Sequence, residues 1–388
     1  MSSCATRPRH ADIREGRRLP AGLLRELEHP ADLFRHFGPN WFAAVMGTGI
    51  VANAAAGLPL HVPGLRTAAT AVWASAALLL VTLSSVWAVQ WLRYRQVARS
   101  HAHDPVMAHF WGAPAMALMT VGAGTLELGQ DWIGVEAAVR VDVVLWTAGT
   151  LLGLVTSVWI PFRAMTGHRV DENSAFGGWL MPVVPPMVSA ATGAALIPHT
   201  APGEGRLALL LGCYAMFGIS MFAGMVIITQ VWSRLVHHKV GPAAMVPTLW
   251  IVLGPLGQSV TAANLLGSAA HLALPRSHAT GAEIFGFLYG VPTWGFAMMW
   301  LALAASITVR TARRHLPFSL TWWSFTFPVG TCVTGTGALA AHLHSTLLTA
   351  AAVALYVLLV AAWITVALRT LRGCARGTLF LPPAPRPG

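Results

Sequence analysis

The most unusual apolar stretch of the chain is Trp322-Trp323-Ser324-Phe325-Thr326-Phe327-Pro328-Val329-Gly330-Thr331-Cys332-Val333-Thr334-Gly335-Thr336-Gly337. A helix that only anchors a protein in lipid would be rich in leucine and isoleucine. This stretch instead contains a proline, three glycines and several threonines, and it carries no charge. Proline inside a helix removes a donor and kinks the chain. A membrane tolerates this only where protein or water satisfies the freed carbonyl. We therefore predict that this helix lines a cavity or pore.

The composition of the whole chain is that of an integral membrane protein. Of 388 residues, 55% are hydrophobic and only 10% are charged, with a mean hydropathy of +0.60, whereas soluble domains carry about 25% charged residues. A spanning helix needs about 20 apolar residues. The apolar segments of sufficient length lie at 38–58, 67–92, 106–128, 141–162, 177–198, 207–233, 243–270, 282–309, 319–341 and 345–368.

These segments predict an all-α fold with ten transmembrane helices. The membrane domain would occupy residues 37–370, preceded by a basic tail over residues 1–36 and followed by a second tail over residues 371–388. No stretch is left over for a second folded domain.

The distribution of positive charge predicts the orientation. The net charge is +11, and all but four of the 25 lysines and arginines lie in the two tails or in the connections after helices two, four, six and eight. The opposite side carries only Arg66, Arg140, Arg206 and Arg276. Cytoplasmic loops of membrane proteins are enriched in these residues. We therefore expect a plasma-membrane protein with both termini in the cytoplasm, whose charge reflects topology and not a nucleic-acid partner.

Prolines recur along the odd-numbered helices. Pro114, Pro185, Pro255 and Pro328 follow one another about every seventy residues, with two helices per period, which indicates a repeated unit. We predict five consecutive helical hairpins, with the first helix of each in an inner, quasi-fivefold ring around a central pore. The predicted helix kinks are at Pro114, Pro182, Pro255 and Pro328.

Small and mildly polar residues form a stripe at helical spacing on each inner helix. The pore-lining candidates taken from these stripes are Asn40, Gly47, Thr120, Pro185, Ser189, Thr192, Gly254, Gln258, Thr261, Ser324, Thr331 and Thr334. For any one helix, such a stripe is equally well explained by close helix packing with hydroxyls bonded across the interface. Five stripes in phase with the repeat favour a pore.

Ionisable residues are scarce within the predicted helices. Glu127, Asp142 and Glu283 fall at helix ends, where we expect interfacial positions. No lysine or arginine falls at a helix centre, which argues against a primary pump because such proteins carry embedded charges on their ion pathways.

One cluster of polar residues leaves a different class of function open. His101, His103 and His109 lie close in sequence to Asp104 at the cytoplasmic edge. A membrane-embedded, metal-dependent enzyme or sensor could use such a cluster. Histidine is common at membrane edges, and the chain contains no GxSxG or HExxH motif. We therefore expect no metal, no cofactor and no enzymatic activity.

Four motifs resemble one known family. They are Phe37-Gly38-Pro39-Asn40-Trp41-Phe42-Ala43-Ala44-Val45-Met46-Gly47-Thr48-Gly49-Ile50-Val51, Trp179-Leu180-Met181-Pro182-Val183-Val184-Pro185-Pro186, Leu249-Trp250-Ile251-Val252-Leu253-Gly254-Pro255-Leu256-Gly257-Gln258-Ser259 and Trp322-Trp323-Ser324-Phe325-Thr326-Phe327-Pro328. Over residues 35–370 the chain resembles the tellurite-resistance/dicarboxylate transporter family. That family is related to the plant slow anion channels and includes fungal malate permeases and sulfite efflux pumps.

This resemblance implies a homotrimer with one anion pore per subunit and a phenylalanine of helix nine that plugs the pore. Two phenylalanines compete for that role. Phe325 shares a helix face with Trp322, Val329 and Cys332, which is typical of packing. Phe327 shares its face with the polar Ser324 stripe, so we predict Phe327 as the gate.

The sequence leaves the transported anion open. A C4-dicarboxylate such as malate would be expected to meet two cationic or donor-rich contacts, and the helix centres supply only neutral donors. This favours small inorganic anions such as sulfite over malate. Channel and proton-coupled carrier remain alternatives.

Overall fold

The computed structural model describes residues 24–27, 29, 31–60, 62–168 and 170–381. Nearly all of these residues are helical, and no β-strand occurs among them. Residues 1–23 of the predicted N-terminal tail and residues 382–388 of the predicted C-terminal tail lie outside the described part of the chain.

We number the α-helices longer than ten residues α1 to α10. Their bounds are α1 Phe42–Ala56, α2 Leu65–Arg93, α3 Gly112–Gly124, α4 Val135–Thr166, α5 Pro185–Leu196, α6 Glu204–His238, α7 Leu253–Ala269, α8 Arg276–Ala312, α9 Phe327–Leu343 and α10 Thr346–Arg376. Six helices of the described residues are long and apolar enough to cross a membrane. They are α2, α4, α6, α8, α10 and the continuous stretch Ala243–Leu272, which contains α7.

Each odd-numbered helix is preceded by a tighter, 3₁₀-helical lead-in. These lead-ins are Pro39–Trp41, Met107–Trp111, Gly177–Leu180, Ala243–Val252 and Leu320–Phe325. A 3₁₀-helix rises about 2.0 Å per residue against 1.5 Å in an α-helix, so a lead-in lengthens a short α-helix efficiently. The lead-in recurs at the start of every unit of the predicted repeat.

The repeated prolines lie at the junction between lead-in and α-helix. Pro185 is the first residue of α5, Pro328 the second of α9, and Pro114 and Pro255 the third of α3 and α7. Pro182 lies in the turn before α5. The prolines predicted as kinks, Pro114, Pro182, Pro255 and Pro328, all stand in or before the first α-helical turn. Proline is well accommodated there because first-turn N–H groups have no partner within the helix.

Odd- and even-numbered helices differ in burial. Thirteen of the 15 residues of α1 are buried, but only four of the 29 residues of α2. The odd-numbered helices contact one another in a closed sequence, α1 with α3, α3 with α5, α5 with α7, α7 with α9, and α9 with α1. Each even-numbered helix contacts the odd-numbered helix that precedes it. Many large apolar side chains of the even-numbered helices are exposed.

The odd-numbered helices α7 and α9 approach each other closely. A Cβ atom on Gly257 of α7 would lie 2.5 Å from the backbone nitrogen of Cys332 in α9. Gly257 is thus required for the contact between these two helices. Gly254, one turn earlier, has no neighbour within 4 Å of the same hypothetical atom, so it faces open space.

Candidate pore and gate

A small cavity lies where the beginnings of the odd-numbered helices meet. Its volume is about 30 Å³, enough for one or two water molecules at roughly 10–15 Å³ each. All five odd-numbered helices or their adjoining segments contribute to its wall. The lining residues are Ala43, Met46, Phe110, Met116, Met181, Val184, Ile251, Gly254, Leu320, Trp323, Ser324, Phe327 and Pro328. The wall is therefore almost wholly apolar and carries no charge.

The two phenylalanines of the opening stretch have different surroundings. Phe327, the first residue of α9, is 3% exposed and lines the cavity. Phe325 lies in the lead-in and packs edge-on against Trp250, with ring centres 5.1 Å apart. It also packs against Trp322, at 5.6 Å. Phe325 is thus part of an aromatic cluster beside the cavity, and Phe327 is the phenylalanine of α9 at the cavity.

Three of the other predicted lining or kink residues also reach the cavity. Gly254, Ser324 and Pro328 are part of its wall. Ser324 lies in the lead-in, one residue before its end at Phe325. It supplies the hydroxyl group of the wall.

A second group of predicted residues lies between helices instead. The hydroxyl of Ser189 accepts a hydrogen bond from Thr150 of α4 at 2.9 Å and donates to the carbonyl of Pro185 at 3.1 Å. Pro185 itself packs against Gly153 of α4. These residues fasten α5 to α4, away from the cavity.

Gly47 and Thr120 occupy similar packing positions. A side chain at Gly47 would collide with Trp323 and Thr326, so this glycine lets α1 approach the lead-in of α9. Thr120 faces α1, where its methyl group lies against Gly49 and its backbone carbonyl accepts a hydrogen bond from Asn53. The close-packing explanation of the small-residue stripes therefore describes these positions.

Polar side chains of α7 and α9 meet beyond the cavity. The hydroxyls of Thr261 and Thr334 are 2.8 Å apart. Thr331 is fully buried and donates to the carbonyl of Pro328 at 2.7 Å. The buried side-chain oxygen of Gln258 has no hydrogen-bond partner among the described residues. Thr261, Thr334 and Gln258 thus form a polar stretch on the predicted α7 and α9 faces.

Two predicted lining residues are half-buried and separate from these groups. Thr192 of α5 donates to the carbonyl of Val188 at 2.8 Å. Asn40 lies in the lead-in of α1. Neither belongs to the wall of the cavity.

The histidine and aspartate cluster has structural contacts of its own. Asp104 accepts hydrogen bonds from the backbone N–H groups of Val106 and Met107, both at 2.8 Å. His103 bonds to Arg163 at 2.7 Å. Within the described residues, no three His, Cys, Asp or Glu side chains are grouped so that they could hold a metal ion. Asp104 therefore shapes the turn that leads into α3.

Trp323 lines the cavity but is not among the residues predicted from the sequence. It is 4% exposed, and its indole nitrogen is buried with no hydrogen-bond partner among the described residues. Trp323 precedes Phe327 by four residues, a spacing that places both on one helical face. The predicted stripe began at Ser324 and included Phe327, so Trp323 was left out although the four-residue spacing indicates it.

The expectation for Asp142 was wrong. We expected an interfacial position, but Asp142 has no exposed surface, and neither of its carboxyl oxygens has a hydrogen-bond partner within the described part of the chain. It packs against Gly122 of α3. The helix that carries it, α4, begins at Val135, six residues before the predicted start of the apolar segment at residue 141.

Comparison with known proteins gives the family. Residues 36–371 match the model of the SLAC1 family, described as voltage-dependent anion channel. The chain is 30% identical to the sulfite efflux pump SSU1 of Trichophyton rubrum, over 78% of this chain and 81% of that protein. It is 28% identical to an uncharacterized transporter of Methanocaldococcus jannaschii, over 80% and 86%. It is 19% identical to the malic acid transport protein of Schizosaccharomyces pombe, over 76% and 68%.

The family model covers nearly the whole membrane domain and includes the motifs quoted from helices one, five, seven and nine. The resemblance inferred from those motifs is confirmed. The chain belongs to the SLAC1 family of anion channels and transporters.

Proposed function

We propose that this protein conducts small inorganic anions, sulfite among them, through a central pore that Phe327 closes. The observation that carries the proposal is the 30 Å³ cavity to which all five odd-numbered helices or their adjoining segments contribute, with Phe327 in its wall. The closed circle of contacts from α1 to α9 supports a quasi-fivefold ring of five hairpins, and hence ten membrane crossings. The short inner helices would cross together with their lead-ins.

The size and chemistry of the cavity support a closed state. A space for one or two waters cannot hold a hydrated anion, and an apolar wall disfavours water itself. Phe327 and Trp323 would form the constriction, with Phe327 as the element that moves. The oxygen atoms of Ser324, Thr261 and Thr334 would give a passing anion weak neutral contacts once the gate is open.

The absence of charge from the wall bears on the substrate. Weak binding favours throughput because an ion must leave as readily as it enters. A dicarboxylate has two separate charged groups that would each lose hydration and gain no cation within this wall, whereas hydrogensulfite is one small group with a single charge. One relative named as a sulfite efflux pump is 30% identical to this chain, whereas the relative named as a malic acid transport protein is 19% identical. Both observations favour sulfite-like anions over malate.

We further propose that the protein lies in the plasma membrane with both termini in the cytoplasm and assembles as a homotrimer with one pore per subunit. The charge asymmetry of the connections supports the orientation. The match of residues 36–371 supports a transporter domain over residues 37–370 with tails on either side. The trimer comes from the family resemblance.

The experiment is anion flux into liposomes that contain the purified full-length protein. Sulfite, chloride, nitrate and malate are compared, each with and without a pH gradient. We expect sulfite and the monovalent anions to permeate faster than malate, and protein-free liposomes give the baseline. A flux that only malate supports would overturn the substrate assignment, and no flux of any anion would overturn the transport proposal. Dependence on the pH gradient would identify a proton-coupled carrier.

A further inference from the structure

A second cavity opens on the outside of the bundle, away from the central one. It has a volume of about 600 Å³ and lies between the last turns of α6 and α8. Trp232 of α6 and Leu303 and Ile307 of α8 form apolar parts of its wall. Arg310 follows on the same strip of α8, about 10 Å further along the axis than Leu303 at 1.5 Å per residue, and Arg314 lies in the turn that follows the helix. The groove therefore has an apolar part and a cationic end.

The cationic end of the groove has no acidic counterpart. Lys239 and His315 join the two arginines in lining it. The ion pairs among the described residues are Arg25–Glu26, Arg66–Asp131 and Arg140–Glu136, all elsewhere. Several positive groups thus surround one space without an anion from the described protein. Arginine in particular offers paired N–H donors that match the oxygens of a phosphate.

The loop that forms one side of the groove is held in a fixed conformation. Arg234 is 9% exposed and donates to the carbonyls of Lys239 and Val240, both at 3.3 Å. Lys239 and Gly241 have positive φ angles of 64° and 72°. A side chain at Gly241 would lie 2.8 Å from the Arg234 guanidinium. The buried cation therefore shapes this loop and adds its own positive charge behind the groove.

We propose that this groove binds one anionic phospholipid, with its phosphate at Arg310, Arg314 and Lys239 and an acyl chain along Trp232 and Ile307. Basic pockets between membrane helices at the cytoplasmic side recognise anionic headgroups in this way. A free oxyanion would make no contact with the apolar part of the groove. A zwitterionic lipid has no net charge to attract it to the cationic end. The proposal rests on the membrane orientation given under the proposed function.

The groove adjoins the segment that connects to the gate. Ala243 lines the groove and begins the lead-in Ala243–Val252. The carbonyl of Ala244, the next residue, accepts a hydrogen bond from Thr321 of the lead-in of α9 at 3.2 Å. Further along, the Trp250 ring packs on Phe325. A lipid in the groove would therefore contact a segment that packs against the lead-in of α9. In that lead-in, Phe325 lies two residues before the proposed gate Phe327.

Lipid binding to the purified full-length protein in detergent tests the proposal. Dioleoyl phosphatidylglycerol and dioleoyl phosphatidylcholine are titrated, and bound lipid is counted by native mass spectrometry. The test variant is Arg310→Gln with Arg314→Gln. The matched control is Arg93→Gln with Arg95→Gln, which removes the same charge from two exposed arginines outside the groove.

We expect one phosphatidylglycerol bound at least about tenfold more tightly than phosphatidylcholine. Each arginine contributes about fivefold in affinity, so the test variant loses about thirtyfold and the control less than about threefold.

Equal affinity for the two lipids, or equal losses in both variants, would overturn the proposal. Displacement of the lipid by millimolar inorganic phosphate would assign the site to a free anion instead. Loss of subunit association in the test variant alone would assign the groove to a subunit interface. Because the assay reads binding alone, a failure of the transport proposal does not alter its outcome.

Discussion

Replacing Phe327 by alanine tests the proposed gate, and the structure sets the size of the effect. The ring is 3% exposed in the closed cavity. Burial of a phenylalanine side chain is worth about 1.5–3 kcal/mol relative to exposure. If opening requires the ring to leave this site, the closed state is favoured by that amount, which corresponds to roughly a ten- to hundredfold preference. Phe327→Ala removes the preference, so sulfite flux should rise by about the same factor.

The matched control is Phe325→Ala, because it removes a buried ring two residues away that packs against Trp250 and Trp322 and does not line the cavity. Large-to-small changes of a buried phenylalanine cost about 3–5 kcal/mol of stability. Both variants should therefore melt at lower temperature, but only Phe327→Ala should raise the flux. The gate assignment would be refuted by an unchanged flux in folded Phe327→Ala protein, or by an equal rise in both variants.

Three further predictions concern stability and the polar stretch. Gly257→Ala should lower the melting temperature because its methyl group would meet the α9 backbone at 2.5 Å. The control variant Gly254→Ala faces open space and should melt as the wild type does. Equal melting temperatures of the two variants would show that α7 and α9 can move apart. Burial lowers the pKa of His101, outweighing the opposing effect of Asp104, so the unfolded state binds more protons and stability should fall as pH drops below about 6.5. His101→Gln should weaken this dependence in melting curves between pH 5 and 8, and an unchanged slope would contradict it. Thr334→Val removes the hydrogen-bond partner of Thr261. We expect a loss of about 0.5–1.5 kcal/mol in stability and a lower sulfite flux. An unaltered sulfite flux would show that Thr334 does not line the pore.

The prolines of the predicted repeat could be interpreted from the sequence because proline favours particular positions in a helix. Pro114, Pro185, Pro255 and Pro328 mark the first α-helical turn of four equivalent helices. Their spacing predicted the units, but not the conformation before each proline. A lead-in such as Leu320–Phe325 is six residues long. Six residues make at most about two turns of either helix, too few repeats of an apolar face to tell a period of 3.0 from one of 3.6. The 3₁₀ segments were therefore invisible in the pattern.

The direction of individual side chains was harder to predict for a different reason. In α5, ten of 12 residues are buried, and Ser189 bonds to Thr150 of α4. A helix surrounded by protein on all sides has no polar face, so its periodicity carries little information about which neighbour a residue meets. Phe327 and Ser324 were identified because an aromatic and a polar residue on one face stood out against the packing residues. Ser189 and Thr120 had no such contrast.

The position of charge explains how the proposed neutral pore would still favour anions. The wall of the cavity holds no cation, so an anion is not trapped along the path, and selection between anions depends on size and hydration. The arginines lie instead at the helix ends, where a positive field raises the local concentration of anions without binding them tightly. Moving one positive charge into the wall, for example at Ser324, would reverse this arrangement. A tight site would form within the apolar wall, where electrostatic attraction is stronger than in water, and each bound anion would leave slowly. Concentration at the ends and weak contact in the middle are therefore two parts of the same mechanism.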